Sequence, residues 1–158
     1  MSKYPVDEVN KKLQQALYLY YRLVIIVGPQ GSGKSTLLRK IQVSMGIPMV
    51  NFSLELSKRM LNLTERQRIL GISRILDEIM AYTPNEMILL DNLEILFDIT
   101  LKQNPLQILK ALSRNRTVIA AWNGSIEDGY LTYAVPRHPE YRRYEIQDFM
   151  TVDLAQFI

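Results

Sequence analysis

Cysteine is absent from this chain and histidine occurs once, so disulfide bridges and thiolate metal centres are excluded. Long apolar runs are missing too. No segment reaches the roughly 20 apolar residues that a bilayer-spanning helix needs, and Met1 to Val9 lacks the apolar stretch of a secretory signal. The expectation is a soluble, cytoplasmic protein with no membrane contact. A strong charge of one sign is also lacking. The net charge is +3 with opposite signs interspersed, which permits DNA contact without arguing for it. There is no internal repeat and no low-complexity linker. What is present, 158 residues of which 47% are apolar, suits one domain around one core. Its expected parts are an N-terminal helix over 1–22, a core over 23–148 and a short tail over 149–158.

The densest signal is Gly28-Pro29-Gln30-Gly31-Ser32-Gly33-Lys34-Ser35, with Thr36 behind it. It satisfies the spacing G-x-x-x-x-G-K-[ST] at every fixed position. The apolar run Leu23 to Val27 leads into it, as a strand buried on both faces would. Thr36 to Ile41 has helical composition, so the glycines lie on a strand-to-helix turn. Such a turn wraps its backbone around an anion, with N–H groups and the helix dipole pointing at it. Lys34 is then placed to reach the β- and γ-phosphates of ATP, and the Ser35 hydroxyl to hold Mg²⁺.

Elsewhere, Val6, Val9, Leu13, Leu17 and Tyr20 recur at steps of three and four and predict an amphipathic helix. The aromatic cluster Tyr18 to Tyr21 suits core packing or a cover for the nucleotide's base. Met49-Val50-Asn51-Phe52 reads as a short second strand. Thr64-Glu65-Arg66-Gln67 is a capping box opening a helix with Ile69, Ile72, Leu76 and Ile79 on one face. Its Arg66, Arg68 and Arg74 stand among Glu65, Asp77 and Glu78, a solvated mixed-charge face rather than a DNA-contacting one. Met87 to Leu90 is a buried strand ending in Asp91. Asn104-Pro105 gives the cap and first turn of a helix carrying Leu106, Leu109 and Leu112. Thr117 to Ala121 is a fourth strand, closing on Trp122-Asn123-Gly124. A looser segment holding Pro136 and Pro139 follows, and Arg143 to Gln147 alternates as a fifth strand. Strands separated by helices imply a three-layer α/β fold with a mainly parallel five-stranded sheet.

Asp91, at the end of four apolar strand residues, is the expected second holder of Mg²⁺. Hydrolytic relatives of such folds place a glutamate directly after it. Here that position is Asn92, which can orient water but cannot take its proton, and the nearest acid is Glu94. Glu94 suits a general base or an exposed residue favoured by a helix start. Asn123 suits a γ-phosphate sensor or a turn residue of an Asn-Gly pair. A further cation is needed for the charge on a transferred phosphoryl. Arg137, Arg142 and Arg143 lie in an exposed-looking segment beside His138, with Arg114 and Arg116 as weaker alternatives. Arg142 is the first choice for a residue acting across a subunit boundary. Each of these arginines also suits an ordinary surface charge.

The blocks GPQGSGKS, LLDNLEILFD, AAWNG and HPEYRRYEI resemble the BrxF-like family of small P-loop, AAA-type ATPases of type 3 bacterial phage-exclusion (BREX) systems. The resemblance covers nearly the whole chain. It implies an ATP- and Mg²⁺-dependent subunit of an oligomer, acting in antiviral defence beside other BREX proteins. It also implies a P-loop NTPase core; the chain departs from general AAA proteins in that the residues after the expected fifth strand leave no room for a C-terminal helical lid domain, so a lid-borne sensor arginine is not expected. Two other readings are a non-hydrolysing nucleotide-dependent scaffold, which Asn92 favours, and a small-molecule kinase.

Overall fold

The computed structural model describes residues 4–157. From the N-terminus the elements are α1 (Pro5–Ala16), β1 (Leu23–Gly28), α2 (Lys34–Met45), β2 (Met49–Asn51), α3 (Phe52–Met60), α4 (Glu65–Ala81) and β3 (Met87–Asp91). Then come α5 (Pro105–Leu112), β4 (Thr117–Asn123), β5 (Ser125–Glu127), β6 (Tyr130–Tyr133), β7 (Arg142–Glu145) and β8 (Met150–Asp153). Short 3₁₀ turns cover Glu94–Phe97, Ile99–Leu101 and Leu154–Phe157.

Five strands form one sheet in the order β2-β3-β4-β1-β8, with every neighbouring pair parallel. β1 is buried throughout. Because successive side chains point to opposite faces, Leu23, Ile25 and Val27 join one core cluster and Val24 and Ile26 the other. α1 and α2 cover the second cluster with Val9, Leu13, Leu38 and Ile41. α3, α4 and α5 cover the first with Phe52, Leu56, Ile72, Leu76 and Leu109. The three-layer α/β architecture is therefore the one the alternation of elements predicts. Local signals hold as well. Thr64 Oγ1 accepts from the Gln67 N–H at 3.2 Å and Gln67 Oε1 from the Thr64 N–H at 2.9 Å, closing the capping box. Asn104 caps α5, whose first turn carries Pro105.

Four expectations need correction. The fifth strand of the parallel sheet is β8, within the stretch read as a tail; it pairs with β1 from Met150 to Asp153. Arg142–Glu145 belongs instead to a separate antiparallel sheet, β5-β6-β7. Its half-buried, half-exposed alternation fits a sheet with one solvated face, whereas a parallel strand needs cover on both. Phe52 opens a helix rather than closing β2, because the Asn51 side chain caps α3 on the Leu54 N–H. Finally, the helical stripe stops at Ala16, and Tyr18 and Tyr20 stand 92% and 71% exposed. Tyr21, by contrast, is half-buried against the first core cluster, so core packing holds for that ring, and all three precede β1 whereas Gly28 to Ser35 follow it.

Candidate nucleotide-binding site

Strand register assembles the site. Gly28 pairs with Asn123 and Ile26 with Ala121, while Leu90 pairs with Ala120. The ends of β1, β3 and β4 thus meet at one edge of the sheet, where α2 begins. Gly31 and Gly33 carry φ of 81° and 95°, a left-handed backbone that costs a residue with a Cβ roughly 1–2 kcal/mol. These two positions turn the chain from β1 into α2. The cap of α2 is Gly33 and no side chain satisfies its first turn, so those N–H groups are left for an anion.

A cavity of about 370 Å³ lies there, lined by Gln30, Gly31, Gly33, Lys34, Ser35 and Thr36 of the loop and helix. Asp91, Asn92 and Glu94 line it from the end of β3, and Asn123 from β4. Lys34 Nζ donates to the Gly28 and Pro29 carbonyls at 2.8 and 2.7 Å, and more weakly to Ser32 Oγ at 3.4 Å. Burial lowers the pKa of this ammonium, while the charges of Glu94 and Asp91 oppose that shift. Ser35 Oγ donates to Asp91 Oδ2 at 2.7 Å, and Asp91 Oδ1 accepts the Asn92 N–H at 2.9 Å. No group of three or more acidic or histidine side chains able to hold a metal occurs among the described residues. A hydroxyl facing one carboxylate beside an anion cradle fits Mg²⁺, which keeps water and phosphate oxygens in most of its coordination positions. The residues present therefore fit a magnesium–triphosphate group.

Asn123 and Glu94 meet: Asn123 Nδ2 donates to Glu94 Oε1 at 2.6 Å. Glu94 opens a 3₁₀ turn, and its carboxylate bonds across the cavity instead of facing bulk solvent. Asn92 has φ of 56°. Its carbonyl accepts from the Ser53 N–H at 3.0 Å and from Ser53 Oγ at 2.7 Å. Asparagine is one of the few residues that visits this backbone region readily, which gives its presence a conformational reason.

The arginines lie outside this cavity. Arg142 Nη1 donates to the Tyr141 carbonyl at 3.1 Å, and its charge acts on the Tyr144 phenol, partly offsetting the rise in pKa that burial causes there. The Arg143 guanidinium stacks 3.5 Å over the Tyr130 ring. Arg116 donates to the Thr83 carbonyl near the start of β4, away from the site, and Arg114 precedes it. Arg137 is exposed and makes no hydrogen bond or ion pair among the described residues.

A second cavity, of about 420 Å³, shares Gln30, Glu94 and Asn123 with the first and adds Tyr133, His138 and Glu140. Sequence reasoning missed this wall. The available signal was Asp128-Gly129, a two-residue hairpin turn with both φ positive, at 52° and 81°.

Fold and site together define an α/β core with a mainly parallel five-stranded sheet, whose β1–α2 turn carries the G-x-x-x-x-G-K-[ST] pattern. No family model and no curated protein matches the chain. Similar solved structures include one from work on katanin self-assembly, at 20% identity and a TM-score of 0.37, covering 65% of this chain and 34% of that one. Another is C. elegans PCH-2, at 15% identity and a TM-score of 0.43, covering 75% and 36%. The chain thus spans about a third of the length of each.

Proposed function

We propose that this chain is an ATP-binding, ATP-hydrolysing core of the AAA type, working inside an oligomer or complex. One observation carries the reading: Lys34, Ser35, Asp91, Glu94 and Asn123 converge on a single cavity at the start of α2. Lys34 and the first N–H groups of α2 bind the phosphates, and Ser35 with Asp91 hold the metal. Bound Mg²⁺ would neutralise charge on the β- and γ-phosphates. Glu94 accepts the proton of the attacking water, and Asn123 orients that carboxylate through its 2.6 Å bond. The resemblance of LLDNLEILFD, AAWNG and HPEYRRYEI to the BrxF-like family supports a place in phage defence.

The test measures ATP binding by calorimetry and phosphate release side by side. Lys34→Ala should lose binding. Glu94→Gln should keep binding and lose about 10²-fold in turnover, the usual size of general-base catalysis. Parental binding by Lys34→Ala would overturn the site. The scaffold reading is favoured by Asn92 and by the engagement of Glu94 with Asn123; it expects bound ATP with no phosphate release in either the parent or Glu94→Gln.

A further inference from the structure

Two adjacent residues of β4 serve two elements. Asn123 reaches Glu94, whereas Trp122 donates from Nε1 to the Thr132 carbonyl of β6 at 2.9 Å. Glu94 and Phe97 are the first and last residues of one 3₁₀ turn. With three residues per turn, positions i and i+3 eclipse, so the two lie on one side of it and swing together. The Phe97 ring stacks on Tyr133 of β6 at 3.5 Å between centroids and 11° between planes. It also meets Trp122 edge-on at 5.0 Å. A closed circuit results, running from Glu94 through Phe97, Tyr133, Thr132, Trp122 and Asn123 back to Glu94. Tyr133 further lines the second cavity with Glu94, and burial first, then Glu140 and Glu94, raises its pKa to about 12. It therefore faces the site as a neutral phenol.

We propose that Tyr133 is a positioning residue for Glu94, and that its stack on Phe97 couples the β5-β6-β7 sheet to the state of the nucleotide cavity. This rests on the function proposed above. Asn123 holds one oxygen of Glu94 and the 3₁₀ turn carries its backbone, so a shift of that turn when the cavity fills would shear Phe97 against Tyr133. The second sheet then shifts with the occupancy of the cavity, and its Thr132 carbonyl carries the shift to Trp122.

The chain's single tryptophan supplies the readout. Trp122 emission is recorded in the parent with Mg-ATP and with Mg-ADP, alongside the ATP dissociation constant, kcat and KM of Tyr133→Phe, Tyr133→Leu and Phe97→Leu. The expected results are an emission change in the parent that differs between the two nucleotides, and parental behaviour in Tyr133→Phe, which keeps the stack. Tyr133→Leu and Phe97→Leu should bind ATP with the parental constant, lose about 10-fold or more in kcat, as small misplacements do, and lose the emission response. No ATP binding by the parent overturns the reading of the cavity itself. With ATP binding intact, the positioning role alone falls if the parent's Trp122 is unresponsive. It also falls if ATP is bound without turnover, if Tyr133→Phe and Tyr133→Leu are equal, or if affinity drops in step with kcat. Should Tyr133→Leu fail to fold, the parent's emission and Phe97→Leu decide.

Discussion

Lys34 is buried at 7% exposure with its ammonium held over two loop carbonyls. Burial disfavours its charged form, so its pKa lies below the ordinary 10.5 in the folded protein. Two opposite pH dependences follow. Between the lowered value and 10.5 the unfolded chain binds more protons than the folded one, so stability of the free protein rises with pH through that window. ATP affinity falls over the same window, because the lost charge is the one that meets the phosphates. Denaturation and calorimetry across the alkaline range should show both trends, and Lys34→Ala should remove the contribution to stability. Asn92 allows a second test. A glutamate there would place an acid where hydrolytic relatives carry one, but φ of 56° opposes it. Asn92→Glu should cost about 1 kcal/mol while Asn92→Gly is tolerated, as read by urea unfolding. A gain in turnover without that loss would mean that the backbone relaxes.

The β5-β6-β7 sheet is held against the parallel sheet by a close approach rather than by strand pairing. A Cβ at Gly124 would run into the Thr132 carbonyl oxygen, the same atom that accepts from Trp122 Nε1. The chain leaves β4 with no room for a side chain, and Ser125 starts the hairpin at once. Gly124→Ala should therefore cost about 1–3 kcal/mol, the usual penalty for overpacking, and shift Trp122 emission toward that of an exposed indole. If Gly124→Ala unfolds at the parental urea midpoint, the two sheets are less tightly joined than this contact implies. The capping box of α4, by contrast, is a local device; it fixes the start of a helix that lies away from the cavity.

At the scale of the whole molecule, Lys34 is the one cationic side chain among the described residues lining the phosphate-loop cavity. Phosphoryl transfer normally uses a further cation, often from a neighbour. Of the three arginines near the second cavity, Arg142 and Arg143 already have intramolecular partners, at Tyr141 and at Tyr130 respectively. Arg137 stands exposed in the loop between β6 and β7, beside His138 and Glu140 of that cavity's wall. A shared site predicts that Lys34→Ala mixed with an arginine variant regains part of the activity, since one mixed interface holds both intact halves. Arg137→Ala and Arg142→Ala are the variants to mix, and the geometry favours Arg137. A monomer in native mass spectra with ATP, or no recovery in either mixture, would end the trans-site idea.

Short-range chemistry made much of this protein legible from its residues. The glycines and Lys34-Ser35 declare a phosphate loop because φ, charge and hydroxyl are fixed by neighbours a few positions apart. The apolar runs of β1, β3 and β4, the box at Thr64 and the Asn104-Pro105 start are legible for the same reason. What folding alone settled depends on register between distant segments. Asn123 meets Glu94 across 29 positions because β4 inserts between β1 and β3. Met150–Asp153 becomes a strand by pairing with β1, although its own residues give little apolar signal, with Val152 the one that is fully buried. Arg142–Glu145 has the alternation of a strand, yet alternation does not say which sheet will accept it. A side-chain period of two fixes which face a residue takes only once a partner is chosen, and that choice belongs to the packed whole.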